Sequence, residues 1–553
     1  MELVTASNLW KDLDFTQDDL DVSVLSHDTT GGVEYIQAYF TAATFDEKSI
    51  RVRCNLAKRS SDITPKVVMI IDDIGVDYTK CDIKKYLEEG FAVFRFDYLG
   101  ENPDVLEGTT LYPQNLEFCN YHLYRNELNK IVTSPQDSCW YYWSIVSFKA
   151  MAMVEWLSNF QENYIQNTVA LVGIGVGGAH AIKVATLFEN VESIIVKYDA
   201  DAFLGNINQE SIVNDVSFSS GSYTPYINIP TFFEICSNEA DGSFDSMIDL
   251  YQTVGVDIDS DNIIFKRLAI SENRSHNITA DHAKNEMLWL KQTLNHENIH
   301  ESIPLLPTLT KKISPGNVYY NLFVDKSFDV QQVKFFFSSD PLSSESQPPY
   351  RYWSQIKADY ISEGEYLIKM DTAPGHIYRV YATVLYSNGY CFSTTLDQVV
   401  VPSNGQKSTV VIDRLVYDGE MGLDSWMGAT ANRDNSLNQV VLKQGPFEIE
   451  GVSGLGGELS NIKIGSLKFT GQNGYVLQIS IFSEINQAIS FGVNTRDGGF
   501  YNFATDIIVQ KSWSKFNLNE SDFKGTGKLD WTQAVCIRIN SEKPVIVSSM
   551  LWL

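Results

Sequence analysis

Positive charge is what this sequence is short of. Against 69 Asp and Glu stand 42 Lys and Arg, a formal net charge of −27 over 553 residues. No basic cluster runs longer than a few residues, whereas a phosphate backbone needs a concentrated basic surface. Nucleic acid is therefore excluded as the main partner, and the acidic excess reads as a device for solubility. Long apolar runs are missing too. Nothing approaches the roughly 18 uninterrupted apolar residues of a membrane helix, so no membrane anchor is expected. The opening MELVTASNLWKDLDFTQDDLDV is polar and acidic, where a secretory signal would start basic and continue through about 7–15 apolar residues. The seven cysteines, at 54, 81, 119, 139, 236, 391 and 536, are scattered and lack any C-x-x-C spacing. They read as reduced, mostly buried thiols of a cytoplasmic protein, with no metal site and no cofactor expected.

What is present is a multidomain globular composition, 44% hydrophobic. Up to residue 305, short apolar runs at 50–56, 66–72, 91–97, 168–173, 191–198, 231–236 and 263–270 alternate with helical patterns at 142–160, 179–188 and 280–294. Such alternation is the signature of a doubly wound, mostly parallel α/β sheet. From 306 to 402 the period shortens to alternating runs such as VYYNLFV and IYRVYATVLY, which predict an Ig-like or fibronectin-III-like β-sandwich. After a polar linker at 402–408, residues 409–553 are again all-β, a second and larger sandwich.

The strongest local signal is NTVALVGIGVGGAHAIKVATL at 167–187, an apolar strand running through a glycine turn into a small-residue helix. Three architectures use such a turn. The nucleophile elbow reads G-x-S-x-G, and in that frame Gly173-Ile174-Gly175-Val176-Gly177 puts Gly175 at the nucleophile position. The same letters satisfy G-x-G-x-x-G through Gly173, Gly175 and Gly178, with Asp199 and Asp201 where a dinucleotide fold would contact ribose. The third reading is close strand–helix packing alone. Context separates them: a dinucleotide fingerprint opens its domain on the first strand, and this turn comes about 170 residues into the chain.

With that order of elements, residues 20–300 resemble the α/β-hydrolase superfamily, particularly its bacterial esterase and acyl-hydrolase branch acting on carbohydrate or related esters. The resemblance implies an acid after the next strand but one, then a histidine. PTFFEICSNEAD offers Glu239 or Asp241, and IIFKRLAISENRSHNITADHA offers His276. By resemblance, Glu239 or Asp241 would orient His276, which would act as general base on a nucleophile at the elbow. Gly175 has no side chain that can attack a carbonyl, which closes the acyl-enzyme route. A held water, or Ser144 or Cys139 reaching the pocket, would be the remaining substitutes. Asp72 and Asp73 fall where the family builds part of its oxyanion hole, and their carboxylates would repel an oxyanion unless they point away.

The last 88 residues resemble, in strand rhythm, the galactose-binding jelly roll of carbohydrate-binding modules. Trp426, Trp513 and Trp531 are the candidate sugar platforms, and the loop at 494–499 a candidate rim or a plain hairpin turn. The expected function is a catalytically degenerate α/β-hydrolase-fold protein that binds a glycan, a glycoprotein or a protein partner. The alternatives are an active esterase or deacylase working through His276 without a serine, and a nucleotide-dependent enzyme using the glycine turn.

Overall fold

A computed structural model describes the chain except for residues 1–3, 14–19, 46–47, 81, 103–107, 126, 129–132, 162–163, 199, 201–215, 239–243, 257–264, 275, 296–298, 343–350, 404–407, 429–439, 455–456, 510 and 526. The chain divides into two compact units. The first comprises Met1–Ile235, Asp241–Ala269 and Asp281–Leu305, and the second Cys236–Ala240, Ile270–Ala280 and Leu306–Leu553.

The first unit is built on a mixed nine-stranded sheet. Its strands are β1 Ser23–Thr30, β2 Val33–Phe45, β3 Lys48–Arg59, β4 Val67–Ile71, β5 Ala92–Phe96, β6 Val169–Ile174, β7 Val191–Lys197, β8 Thr231–Cys236 and β9 Lys266–Ser271, in the spatial order β1-β2-β3-β5-β4-β6-β7-β8-β9. The first three strands and the β3–β5 junction pair antiparallel, whereas β5, β4, β6, β7 and β8 run parallel. Every residue of β4, β5 and β8 is buried, as a strand covered on both faces requires. Helices Cys139–Ser158, Val176–Leu187 and Asn285–Leu294 accompany this sheet.

The β1–β2 hairpin is absent from the sequence reading for a physical reason. Seven of the eight β1 residues are exposed, so no alternation marks the strand. The helix expected over 280–294 is a 3₁₀ turn, Ala280–His282, followed by the helix Asn285–Leu294. Glu286 in that helix is anchored to the sheet by charge: Lys197 Nζ lies 2.6 Å from its Oε2 and Lys85 Nζ 2.7 Å from its Oε1. Burial alone would raise the Glu286 carboxyl, but the two lysines hold it down at about 2.

In the second unit, all sheets are antiparallel. Strands Thr308–Ser314, Asn317–Phe323, Glu365–Asp371 and Asp359–Ser362 form one, and Ser354–Ile356, Val330–Pro341, His376–Tyr386 and Cys391–Ser393 another, with Asp397–Val401 added to His376–Tyr386. Toward the C-terminus two further sheets enclose one apolar core that includes Tyr417, Phe491, Trp531 and Trp552. Two buried asparagines make backbone contacts within this unit. Asn273 accepts the N–H of Trp353 at 2.7 Å and donates to its carbonyl at 2.9 Å, and Asn238 Oδ1 accepts the N–H of Arg351 at 2.8 Å.

Two glycines after β6 are packing residues. A Cβ on Gly177 would press into the β4 backbone at Ile71 O and come within 2.7 Å of Asp72 O, and one on Gly178 would lie 3.0 Å from the Ala200 methyl. Because the obstacle at Gly177 is backbone, Gly177→Ala is expected to destabilise the first unit by about 1–3 kcal/mol, and Gly178→Ala by less, read as a fall in the denaturation midpoint at unchanged m.

Candidate functional site

β6 ends at Ile174 and a helix begins at Val176, so Gly175 alone turns the chain. It does so at φ +54° and ψ −127°, a conformation that residues with side chains hold only under strain. Its N–H donates to Lys197 O at 3.0 Å, and its carbonyl accepts the N–H of Gly178 at 2.8 Å, which locks the turn from both sides.

The loop leaving β4 carries Asp73 into this turn. Its Oδ1 accepts the backbone N–H of Ile74 at 2.8 Å and that of Val176, also at 2.8 Å. Val176 opens the helix Val176–Leu187, so its amide is one of the first-turn donors without a helical acceptor, at the end where negative charge is favoured. A Cβ built on Gly175 would fall onto the Asp73 carboxyl carbon and both of its oxygens. The Asp73 carboxyl group, itself buried, would have to turn out of this position to admit a side chain at 175.

Two amides thus converge on one oxygen of Asp73. The sequence expectation left open whether these carboxyl groups point away; that of Asp73 points into the turn. Sequence reasoning treated the acid after the 66–72 strand and the glycine at 175 as separate oddities. The signal that joins them is that a missing side chain leaves room for one carboxyl group.

Asp72 differs from its neighbour. Burial pushes its carboxyl up to about 7, with Arg95 pulling down and Asp73 and Asp77 adding to the rise, and its Oδ2 has no hydrogen-bond partner among the described residues. The Tyr98 hydroxyl donates to the Asp72 carbonyl at 2.8 Å. Tyr98 also packs 5.0 Å from the ring of His180. Burial, reinforced by Lys183, holds that imidazole well below its usual range, so His180 is neutral, and neither ring nitrogen has a hydrogen-bond partner among the described residues.

Glu239, Asp241, Asp199 and Asp201 lie outside the described residues. His276 belongs to the second unit, where it is half-buried at φ +50°, while Gly175 belongs to the first. Ser144 and Cys139 supply no nucleophile. The Ser144 hydroxyl is buried and donates to Trp140 O at 2.8 Å, and burial drives the Cys139 thiol far above its usual range, away from the reactive thiolate. Trp426 and Trp531 are 2% and 0% exposed within the C-terminal core, so neither offers a ring face to a sugar. Trp513 keeps partial exposure; its Nε1 donates to Pro446 O at 3.2 Å and its ring packs 5.5 Å from that of Phe482. At the 494–499 hairpin Arg496 is buried. Among the described residues no group of three metal-ligating side chains assembles, and no helix is long and apolar enough to cross a membrane.

No family model matches the chain, and no curated protein does. Solved structures similar to it include acetyl xylan esterase 1 from Thermoanaerobacterium sp. JW/SL YS485, at 11% identity and TM-score 0.38 over 50% of this chain and 88% of that one. An acetyl xylan esterase from Paenibacillus sp. R4 is similar at 11% identity and TM-score 0.38 over 52% and 92%. A glucuronoyl esterase from Solibacter usitatus is similar at 12% identity and TM-score 0.34 over 50% and 86%. With scores this low the likenesses bear no weight, and the site is understood from the Asp73–Gly175 geometry.

Two measurements check that geometry. Gly175→Ala should destabilise the wild-type background strongly and an Asp73→Gly background less, with a coupling of about 1–3 kcal/mol in the double-mutant cycle and a residual strain term common to both. The Asp72 carboxyl ionises near 7 when folded and near 3.8 when unfolded, so between those values the folded chain holds a proton that the unfolded chain has released. Taken alone, Asp72 therefore contributes stability that falls as pH rises from about 4 to 7 and levels off above, whereas the buried, neutral His180 contributes with the opposite sign up to its ordinary value of 6.5. Asp97, also raised by burial to about 6, contributes with the same sign as Asp72. Asp72→Asn should make the slope of the unfolding free energy against pH more positive over that window, measured by denaturant melts at pH 4, 5, 6 and 7.

Proposed function

We propose that this chain is an α/β-hydrolase-type protein whose catalytic centre is silent, and that it works by binding a glycan, a glycoprotein or a protein partner. The observation that carries the reading is the Asp73 carboxylate on the amides of Ile74 and Val176. In the nucleophile-elbow architecture, the amide after the nucleophile and an amide from the loop of a neighbouring strand form the oxyanion hole. Val176 follows Gly175, and Ile74 follows β4, which pairs with β6 in parallel. Both donors persist, but the nucleophile is absent and a carboxylate fills the hole. An ester carbonyl entering here would meet a fixed negative charge where its own charge must develop, the reverse of transition-state complementarity. A dinucleotide pyrophosphate, which would need the same helix N-terminus, is opposed by the same carboxylate.

A binding role is what such a site leaves available, and the partly exposed Trp513 is the remaining aromatic candidate for a sugar. The test is hydrolysis of a short-chain aryl ester and a panel of acetylated sugars by the unaltered protein, beside His276→Ala, with the same sugars titrated calorimetrically. No turnover above the buffer blank is expected, together with binding that weakens at least several-fold in Trp513→Ala for a glycan ligand. Turnover by the unaltered protein that disappears in His276→Ala would overturn the silent-site reading in favour of an esterase acting without serine.

A further inference from the structure

In the second unit, the C-terminal sheet that carries Trp426 has two faces of opposite character. Its strands lie in the order Trp426–Gly428, Glu458–Asn461, Ala534–Ser541, Gln487–Thr495 and Phe500–Val509. Successive side chains of a strand point to opposite faces, and here Leu459, Ile537, Ile539, Phe491 and Val493 enter the apolar core. The register sets the other face. Glu458 stands opposite Asn540 and Asn540 opposite Ser490, while Ser460 stands opposite Arg538 and Arg538 opposite Gly492. Directly opposed residues share a face with Cβ positions about 4.5–5.5 Å apart, so these residues form two adjacent polar rows.

Arg538 is the centre of the rows. Its guanidinium carbon lies 5.7 Å from the centroid of the Phe500 ring, and its Nη1 lies 3.8 Å from Glu458 Oε1. Phe500 belongs to the strand beyond Gly492, so the arginine reaches across a position that has no side chain to obstruct it. At 3.8 Å the ion pair is too long for a hydrogen bond, and Glu458 Oε1 has no hydrogen-bond partner among the described residues. Asn494 Oδ1, two residues beyond Gly492 on the same face, has none either. The side chains of Arg538 and Glu458 are 27% and 26% exposed, and Phe500 is 44% exposed. Cys536 shares the face but adds no charge, because burial pushes its thiol up to about 11.

We infer that this sheet face binds a neutral pyranose glycan, with Phe500 as the apolar platform and the Arg538–Glu458 pair taking adjacent hydroxyls. The inference rests on the glycan-binding reading above and adds a second site to it, since Trp513 lies on a strand of the other C-terminal sheet. A pyranose carries an apolar C–H face and a rim of hydroxyls that both donate and accept. A guanidinium only donates and a carboxylate only accepts, so neighbouring hydroxyls can accept from Arg538 and donate to Glu458, supplying the hydrogen bonds that the long ion pair lacks. One cation against one anion among the described residues of the face favours a ligand without charge. A uronate held by Arg538 would set its carboxylate beside that of Glu458. Asn540 and Ser490 in the adjoining row offer donors and acceptors alike. An apolar wall with a few placed polar groups is the general composition of a small-ligand site.

The test titrates the full-length protein calorimetrically with cellohexaose, xylohexaose, mannohexaose and hexagalacturonate. The neutral sugar that binds is titrated again into Trp513→Ala, and into that variant carrying Phe500→Ala or Arg538→Lys. Binding that persists in Trp513→Ala and weakens at least tenfold on either addition is expected, the first removing the platform and the second the planar fork. Residual binding indifferent to both additions, no residual binding in Trp513→Ala, or preference for hexagalacturonate overturns this site and leaves the broader reading standing. No binding of any of these sugars by the unaltered protein overturns the site and removes the glycan from that reading as well. Crystals of the unaltered protein soaked in the bound sugar give a readout free of any folding defect in a variant: density against Phe500 and Arg538 supports the site, and its absence there overturns it.

Discussion

The carboxylate of Asp73 holds two backbone amides that would otherwise lack an acceptor, and much of the first unit's central geometry depends on that contact. The Val176 amide belongs to the helix after β6, and the Ile74 amide to the loop after β4. A single side chain thus joins the ends of two adjacent parallel strands at the point where the helix departs. It does so in a buried place, where an unsatisfied amide costs about 1–3 kcal/mol. Gly175 is the condition for this arrangement, because a Cβ there would coincide with the carboxyl group. The remaining glycines serve the same junction from outside, letting the helix lie against β4 and the residues after β7.

The sequence made the junction legible as a form but not as a chemical state. An apolar strand, a glycine turn and a small-residue helix are local properties, and they appear where VALVGI, Gly175 and VGGAHAIKVATL predict. The parallel strands are legible for the same reason, since burial on both faces writes continuous apolar runs. The exposed β1 strand writes nothing comparable. What a one-dimensional reading lacks is the 103-residue step from Asp73 to Val176. Composition says that an acid follows a strand; only the fold says which amides it meets. The tryptophans fail in the opposite direction. Trp426 and Trp531 look like platforms because aromatic residues near glycine-rich turns are common to binding faces and to sandwich cores, and burial alone decides between them.

Buried charge is handled differently in the two units. In the first, Lys197 and Lys85 sit on Glu286, and Lys197 also lies 3.3 Å from Glu234, so two cations and two anions balance. That closure tolerates the burial of Glu286, Glu234 and Lys197, while Lys85 reaches in from a partly exposed position. In the second unit Asp340 gathers Arg351, Arg379 and Arg496, so one carboxylate fastens three segments through planar guanidinium groups.

The elbow completes the contrast between keeping a shape and keeping a reaction. A side chain at position 175 would carry backbone strain of order 1–3 kcal/mol, which active sites tolerate because the strained residue performs chemistry. Glycine removes that strain while preserving the turn. Asp73 then gives the vacated amides an acceptor. Both features act in the same direction, lowering the free energy of the folded state. A side chain placed at 175 alone would bring strain and crowd Asp73, while removing Asp73 alone would leave the amides of Ile74 and Val176 without that acceptor. The two positions are therefore energetically coupled, and the turn is held as a structural joint by their combination.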